Sequence, residues 1–301
     1  MRRAMMFLML SAFALTLFDV PASRAKGSPV VNAIGMINYA TAKPDFKPGD
    51  WVRYRVTSAN NDGDKEDYFV TILIAGEEQF WGVDCFWVET RTQTSLTNNE
   101  VDVAIATLMS YSVFGDSLAI SHSKLFMRKT IADMSEDGTP RQDVIKRPSL
   151  TLRNRKPPGD RTAWTVDTMG VDTVHTPRGL YACTLVKLEE GIAATADNGD
   201  SSARTEVREK RTVFFADGIP ITGFARERIV NTVHRKSWPI GRSSEGEMKL
   251  VAESEGNARL VDYGTGLTSL LVPKEFQKSL REQAAAISRP APARPHSKRT
   301  N

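Results

Sequence analysis

Residues that bind metals or form disulfides are scarce in this chain. It has two cysteines and four histidines among 301 residues, and the histidines show no metal-ligand spacing relative to the cysteines. Common catalytic motifs are absent as well: there is no Gly-x-Ser-x-Gly nucleophile elbow, no His-Glu-x-x-His zinc motif and no phosphate-binding glycine loop. We therefore expect no metal, no cofactor and no catalysis. The one enzymatic alternative is a hydrolase whose triad leaves no signature in a single sequence.

Long apolar runs are also absent, with one exception at the N-terminus. The run over 4–18 follows two arginines and precedes Pro21 and the small-x-small triplet that ends at Ala25. This layout is typical of a secretory signal peptide cleaved after Ala25, and it predicts export to the periplasm or the exterior. At about 15 residues the run is shorter than the roughly 20 that a membrane-spanning helix needs, although an uncleaved anchor is the alternative. No later run is long enough to span a membrane, so we expect a soluble mature chain.

The chain has little excess charge, and that excess lies towards its ends. The formal net charge is +4, yet the segment 273–301 alone holds seven lysines and arginines against two glutamates. The basic stretch 146–161 lacks the aromatic residues on which single-stranded nucleic acids stack, so we expect no nucleic-acid partner. The proline-rich end of the chain, 289–301, is predicted to be disordered, and its charge could contact an anionic envelope surface.

Alternation of apolar and polar residues predicts a domain that is mainly β. Val52, Tyr54 and Val56 share one face of a predicted strand over 51–57, and arginines occupy the other face. A turn rich in Asn and Asp then leads into a return strand, which completes a hairpin. The other predicted strands cover 68–75, 82–94, 164–168, 172–176, 180–189, 202–216, 224–234 and 247–252.

One to three helices are expected to pack on the predicted sheet, which makes the fold class mainly β with α. Apolar residues between Val101 and Met109 recur at helical spacing after an Asn-Asn N-cap, which predicts a helix. The stretch 118–134 is predicted as a helix, or as a helix and a strand, and a short helix is predicted over 273–287. The expected organisation is a signal peptide (1–25), a polar lead-in (26–48), a single antiparallel β-rich domain (49–272), and a short helix with a disordered basic tail (273–301).

The predicted strand at 82–90 is apolar on both of its faces. Cys85 and Trp87 fall on one face, and Phe86 and Val88 fall on the other, a pattern typical of a strand buried on both sides. Two explanations stay open: the strand packs between a sheet and a helix, or a curved sheet holds an apolar ligand against it. In the second case Phe86, and Phe214 on a later strand, are the expected ligand contacts.

The two cysteines both fall in predicted strands. In an oxidising compartment Cys85 and Cys183 could form a disulfide, closing a loop of about 100 residues. The alternative is a pair of buried thiols that act as small apolar residues. Nothing in the sequence sets the separation of the two residues, so both readings stay open.

Three segments together resemble one group of known proteins. They are Pro48-Gly-Asp-Trp-Val-Arg-Tyr54, Thr176-Pro-Arg-Gly-Leu-Tyr-Ala-Cys183 and Ile219-Pro-Ile-Thr-Gly-Phe-Ala-Arg226. Through them the chain resembles exported bacterial proteins of the lipoprotein-localisation (LolA/LolB-like) half-barrel group, chiefly over 164–230. The resemblance implies a curved antiparallel sheet, a half-barrel, around an apolar cavity plugged by helices. It also implies an exported, non-catalytic carrier of a lipid or acyl chain. The alternative is a structural or interaction module of the envelope without a ligand pocket.

Overall fold

The computed structural model describes most of the chain between residues 36 and 287. The described residues are 36–38, 44, 46–60, 63–80, 82–97, 101–115, 127–133, 141–144, 160–198, 201–240 and 246–287. The predicted signal peptide, most of the lead-in, nearly all of the basic loop and the tail 289–301 lie outside them.

In the described residues, eleven antiparallel strands form a single sheet. Helical elements include 3-10 turns at Tyr111–Val113 and Lys274–Phe276 and one α-helix, α1 (Leu280–Ile287). The structure is therefore mainly β with few helices, as the alternation in the sequence predicted. The strands are β1 (Trp51–Asn60), β2 (Lys65–Phe80), β3 (Val83–Gln93), β4 (Val103–Ser110), β5 (Met127–Asp133), β6 (Arg141–Val144), β7 (Asp160–Thr176), β8 (Gly179–Asn198), β9 (Ser201–Phe215), β10 (Phe224–Pro239) and β11 (Lys249–Gly264).

The strand order runs outwards from the centre of the sheet. The order is β6-β5-β4-β3-β2-β1-β11-β10-β9-β8-β7, so the first and last strands pair at the centre. That pairing sets Trp51 opposite Gly264. All other neighbouring strands are consecutive in sequence, and only the connection from β6 to β7 crosses from one edge of the sheet to the other. The fold thus consists of two meanders joined along β1 and β11.

Burial along β1 alternates as predicted. Val52, Tyr54 and Val56 are buried, and the arginines between them are not. Residues directly opposite each other on paired strands share a face, and Tyr54 lies opposite Val70 on β2 and Leu260 on β11. We call the face that carries these residues the inner face, and the opposite one the outer face.

Two predicted strands are parts of longer strands in the structure. The stretches 164–168 and 172–176 belong to one strand, β7, whose register shifts between Thr168 and Gly170. The short strand predicted at 247–252 continues through β11 as far as Gly264. A bulge interrupts the period of two without ending the strand, which explains why the sequence pattern broke inside β7.

The helix predicted between Val101 and Met109 is wrong, because this stretch forms β4. Most of β4 is buried on both faces, with Ala106 and Leu108 on one face and Thr107 and Met109 on the other. A strand buried on both faces carries no period of two, and its apolar residues can match helical spacing by chance. The second predicted helix is also replaced, over Met127–Asp133, by β5, while residues 118–126 lie outside the described residues. The C-terminal helix is confirmed as α1.

The C-terminal segment 265–287 covers the outer face of β2, β3 and β4. It explains why β3 is buried on both faces from Cys85 to Gln93, as its sequence predicted. The cover is an irregular chain ending in α1 rather than a helix alone. The residues of this outer cluster are Leu73, Ala75, Cys85, Trp87, Ala106, Leu108 and Val272, with Trp51, Phe80, Val83, Leu267, Leu271 and Phe276 packed against them.

Buried Glu89 holds this segment against the sheet. Its carboxylate accepts hydrogen bonds from the backbone N–H groups of Leu270 and Leu271 at 3.1 Å and from the Ser269 hydroxyl. Arg91, two residues along β3, donates to the same carboxylate at 2.7 Å and to the Thr268 carbonyl. The buried charge is thereby paired and fully hydrogen-bonded, which buried ions require.

Part of the predicted polar lead-in contributes to the core. Met36 and Ile37 are buried, and Phe46 packs against the inner face. The backbone N–H of Asn38 donates to the carbonyl of Ile221 at 3.0 Å. These residues therefore close one end of the inner face.

The two cysteines do not form the disulfide that was one of the two readings. Cys85 and Cys183 are both buried thiols, and they belong to different clusters. Cys85 packs in the outer cluster, whereas Cys183 packs in the inner one. Burial raises the pKa of the Cys183 thiol, which disfavours the reactive thiolate.

Candidate functional site

The inner face carries the larger of the two apolar clusters of the described residues. Its rows run across the sheet: Tyr68, Val56 and Ala258 face one another on β2, β1 and β11. The cluster extends from Met109 on β4 to Val174 on β7. Such a surface is the usual location of a site for an apolar ligand.

Phe86 lies inside an aromatic cluster at the end of this face. Its ring is 5.3 Å from Phe46, 4.9 Å from Tyr111 and 5.4 Å from Phe114. The Tyr111 hydroxyl donates to the Glu77 carboxylate at 2.6 Å, and burial, followed by this bond, raises the pKa of Tyr111. The other oxygen of Glu77 accepts the N–H of Leu280 at 2.7 Å, at the start of α1.

Tyr54 forms a polar contact in the centre of the inner face. Its hydroxyl donates to the carbonyl of Phe224 at 2.7 Å and lies 2.5 Å from the hydroxyl of Thr222. The Tyr54 ring stacks on Phe224 with centroids 4.8 Å apart. Burial raises the pKa of Tyr54, so its hydroxyl stays neutral and ties β1 to the turn before β10.

Tyr68 differs from Tyr54 in having no such contact. Its side chain is only 3% exposed, and its buried hydroxyl has no hydrogen-bond partner among the described residues. Burial, and to a smaller degree Glu66, raises the pKa of Tyr68, which keeps it a neutral donor. A buried hydroxyl without a partner costs about 1–3 kcal/mol, so this position would gain from a hydrogen-bond acceptor.

A part-buried ion cluster lies on the inner side of β9 and β10. Arg211 on β9 donates to the Glu227 carboxylate on β10, with Nε at 2.7 Å, and Glu209 lies 4.0 Å away. Register places Arg211 opposite Leu188 on one side and Ile229 on the other. Burial raises the pKa of Glu209, Arg211 opposes that shift and Glu227 adds to it. The cluster thus has two carboxylates for one guanidinium.

The tip of the β7–β8 hairpin contacts β11, although β9 and β10 separate them in the sheet order. Arg178 pairs with Asp262 at 2.8 Å, and its guanidinium lies over the Tyr263 ring at 4.7 Å. From β11, Arg259 donates to the carbonyl of His175 at 3.0 Å.

The same tip packs against the inner cluster. The hydroxyls of Tyr181 and Tyr263 are 3.4 Å apart, and burial, followed by this hydrogen bond, raises the pKa of Tyr181 to about 12. The apolar end of the inner face is therefore bordered by the hairpin tip as well as by the lead-in.

The two residues predicted as ligand contacts occupy different positions. Phe86 is fully buried in the aromatic cluster, whereas Phe214 on β9 is half-buried at the margin of the inner cluster. Four strands lie between β3 and β9. Phe214 pairs across strands with Arg226, whose guanidinium is 5.7 Å from its ring. The two side chains belong to one cluster and do not form a common contact.

Sequence reasoning missed Tyr68 and the Arg211 cluster. Charged residues recur along β9 and β10, and those that are buried look the same in the sequence as those that are exposed. One signal was available for Arg211. Alternate residues of a strand share a face, so Arg211 lies on the same inward-facing side of β9 as Glu209 and Val213. No pattern distinguishes Tyr68 from an ordinary core tyrosine.

In the part of the chain that the structure describes, no group of three or more histidine, cysteine or acidic residues is arranged to hold a metal ion. In the same residues, no helix has the length and apolar character needed to cross a bilayer.

Comparison with known proteins gives similarity at the level of solved structures. No family model matches the chain, and no curated protein matches it. A protein described as a lipoprotein from Parabacteroides distasonis is 9% identical, with 75% of this chain and 99% of that chain covered, at a TM-score of 0.31. An exported protein with a YmcC-like fold from Bacteroides fragilis is 12% identical, with 75% and 100% covered, at 0.30.

A LolA superfamily protein from Nitrosomonas europaea is also similar. It is 10% identical, with 79% of this chain and 94% of that chain covered, at a TM-score of 0.29.

Proposed function

We propose that this protein is an exported, non-catalytic binding or carrier protein of the cell envelope that takes a lipid or acyl chain against its inner face. The observation that carries the proposal is the hydroxyl of Tyr68, which is buried in a continuous apolar surface without a partner. An acyl chain would contact the apolar residues, and its carbonyl or carboxylate would accept the Tyr68 hydrogen bond. No step of this function needs a catalytic residue.

The contacts of the β7–β8 hairpin tip support a curved sheet. Hydrogen bonds from Arg259 to His175 and from Arg178 to Tyr263 span strands that a flat sheet would keep about 15–20 Å apart. A sheet bent in this way would form the half-barrel implied by the sequence resemblance. The bend would then shield one end of an acyl chain from water.

The aromatic cluster gives the proposed ligand an end point. Phe86 would contact the chain terminus, with Phe46 and Tyr111 moving aside, since aromatic side chains supply large apolar contact areas. Phe214 lies on the outer face, opposite Arg226, and would contact the ligand only where its ring packs against the edge of the inner cluster. Both residues remain proposed contacts.

The second candidate function is an envelope interaction module without a ligand pocket. The packing of the aromatic cluster favours it, because Phe86 is fully buried against three other rings within 5.4 Å. A core filled in this way needs no ligand. The basic tail would then provide the contact with an anionic envelope surface.

Titration with a fluorescent long-chain fatty acid, together with mass spectrometry of copurifying lipids, tests the proposal. We expect saturable binding, weakened about tenfold by Tyr68→Phe, which removes one hydrogen bond to a buried polar group. Thr57→Val is the control, because it removes an exposed hydroxyl on the outer face of β1, and it should leave binding unchanged. Absence of both saturable binding and copurifying lipid would favour the interaction module.

A further inference from the structure

Three arginines lie side by side on the outer face, across the centre of the sheet. Arg259 on β11 is directly opposite Arg55 on β1 and directly opposite Arg226 on β10. All three side chains are exposed. Since neighbouring strands are about 4.8 Å apart, the three positions span about 10 Å. We call these residues the arginine row.

This arrangement opposes the usual pairing rule for sheets. Like charges directly opposite each other on paired strands destabilise a sheet, and here the unfavourable pairing occurs twice in succession. Elsewhere on the same face cations alternate with anions, as in the pair of Arg228 with Glu255 at 2.8 Å. The arginine row thus sets three cations in succession across three strands, next to a part of the same face that pairs cation with anion.

The carboxylates near the row neutralise only part of it. Arg55 pairs with Asp67 through two hydrogen bonds. Arg259 donates to the carbonyl of His175, which is uncharged. No carboxylate oxygen of the described residues lies within 4.0 Å of the Arg226 guanidinium. Glu255, which pairs with Arg228, interacts with the charge of Arg226 only at longer range, and the Arg226 guanidinium lies 5.7 Å from the Phe214 ring. Two guanidinium groups of the row thus lack an ion-pair partner in the described chain.

Apolar aromatic residues flank the row at both ends. Register places Phe69 opposite Arg55 and Phe214 opposite Arg226, and both phenylalanines are half-buried. Across five neighbouring strands the order of residues is therefore Phe69, Arg55, Arg259, Arg226 and Phe214. Guanidinium groups bind phosphate through paired hydrogen bonds, and apolar side chains beside them suit the boundary between headgroups and acyl chains.

We propose that the arginine row docks the protein on an anionic membrane surface, with the guanidinium groups of Arg226 and Arg259 bound to lipid phosphates. A bilayer presents phosphates in a plane, which matches a row of cations on one face of a sheet. The signal layout of the N-terminus predicts export, and export would bring this face to an envelope membrane. The proposal concerns the outer face and does not depend on ligand binding at the inner face.

Sedimentation of the full chain with phosphatidylcholine vesicles, with and without phosphatidylglycerol, tests the docking. We expect binding only to the anionic vesicles. Arg226→Gln with Arg259→Gln should weaken it about 25-fold, because each arginine near an anionic surface contributes about 1 kcal/mol, or about fivefold. Raising the ionic strength from about 0.1 M to about 1 M shortens the screening length from about 10 Å to about 3 Å and should abolish binding.

Arg235→Gln with Lys249→Gln is the matched control. These two residues form an exposed cation pair on the same two strands, nine positions along β10 from Arg226 and so about 30 Å away. The variant loses the same charge and keeps the basic tail, and it should retain wild-type binding within about twofold. If the double variant folds poorly, the single variant Arg226→Gln replaces it, because it removes no ion pair or hydrogen bond to a described residue. Its binding to anionic vesicles should be about fivefold weaker than that of the wild type.

Three results would overturn the docking proposal. One is equal binding to neutral and anionic vesicles. Another is an unchanged affinity in both arginine-row variants. The third is an equal loss in the control pair, which would assign the binding to net charge alone. Failure of fatty-acid binding at the inner face would leave the docking result unaffected, so the two proposals can be separated.

Discussion

Arg211 determines the charge balance of the inner face. It is the cation of a cluster that also holds Glu209 and Glu227, and the Glu227 side chain is only 2% exposed. The two carboxylates have different roles: Glu227 accepts a close hydrogen bond, whereas Glu209 is 4.0 Å away. Replacing Glu227 should therefore lower the stability of the fold, whereas replacing Glu209 should raise it.

Glu227→Gln is expected to lower the free energy of unfolding by about 2–3 kcal/mol at pH 7, because it leaves the part-buried guanidinium of Arg211 without its main partner. Glu209→Gln should raise it, because burial raises the pKa of Glu209 and disfavours its charged form. Urea unfolding of both variants measures the difference. A loss of similar size in both would show that the carboxylates share Arg211 equally.

The gain from Glu209→Gln should depend on pH. A pKa raised in the folded state means that Glu209 destabilises the fold as pH rises above the ordinary glutamate value of about 4.3. Below about pH 4 the carboxyl is protonated in both the folded and unfolded states, so the variant should gain nothing there. Unfolding measured at pH 3.5 and pH 7 decides this, and a gain of equal size at both would contradict it.

The two buried tyrosines of the inner face should also differ. Tyr54→Phe removes the donor to the Phe224 carbonyl, leaves that acceptor buried, and should cost about 1–3 kcal/mol. Tyr68→Phe removes a hydroxyl that has no partner in the described chain, so ligand-free protein should be equally stable or slightly more stable. Thermal unfolding of delipidated protein compares the two variants. Equal losses of stability would show that the Tyr68 hydroxyl has a hydrogen-bond partner in the ligand-free protein.

At the scale of elements, the C-terminal segment depends on a close approach to β2. A Cβ atom added at Gly76 would lie 1.8 Å from the backbone oxygen of Phe276. Because backbone stands on the other side of the contact, no side chain can move to relieve it. The sheet and the C-terminal segment therefore fit together only with glycine at this position.

Gly76→Ala should destabilise the protein by about 2 kcal/mol or more and should increase amide hydrogen exchange across 266–287. Gly256→Ala is the control, since an added Cβ there meets no atom within 4 Å. Exchange in 266–287 should stay at the wild-type level in the control. Unchanged exchange in Gly76→Ala would mean that the segment does not pack on β2 as described.

At the scale of the whole molecule, the chain closes around the pairing of β1 with β11. Every other neighbouring pair of strands can form locally, whereas this one joins residues about 200 positions apart and pays the largest loop-closure entropy. The segment after β11 then packs back on β2, β3 and β4. Both ends of the described chain are thus tied to the same central strands.

Two truncations separate the tail from the segment that packs. Deleting 289–301 should leave the melting temperature unchanged within about 1 °C, because that stretch lacks the apolar residues that offset ordering entropy. Deleting 265–301 should lower it by at least about 10 °C, since four packed apolar side chains are lost, each worth about 1.5–3 kcal/mol. Differential scanning calorimetry compares the two, and similar melting temperatures would contradict the outer cluster.

The sequence alone determined the one-sided strands of this protein. Val52, Tyr54 and Val56 alternate with polar residues, so β1 and its inner face could be read directly. The doubly buried strand β3 was also readable, because Phe86 and Trp87 are apolar on successive positions. Both features are local patterns, with a period of two or a continuous apolar run, that do not depend on distant residues.

Only the tertiary structure decided what packs against those strands. β4 resembles a helix in the sequence because the cover of 265–287 makes both of its faces apolar, and that cover comes from residues more than 150 positions away. The separation of Cys85 from Cys183, the missing partner of Tyr68 and the alignment of Arg55, Arg259 and Arg226 likewise depend on strand register. Register is set by pairing between distant segments, and a local pattern carries no record of which distant residues will lie opposite.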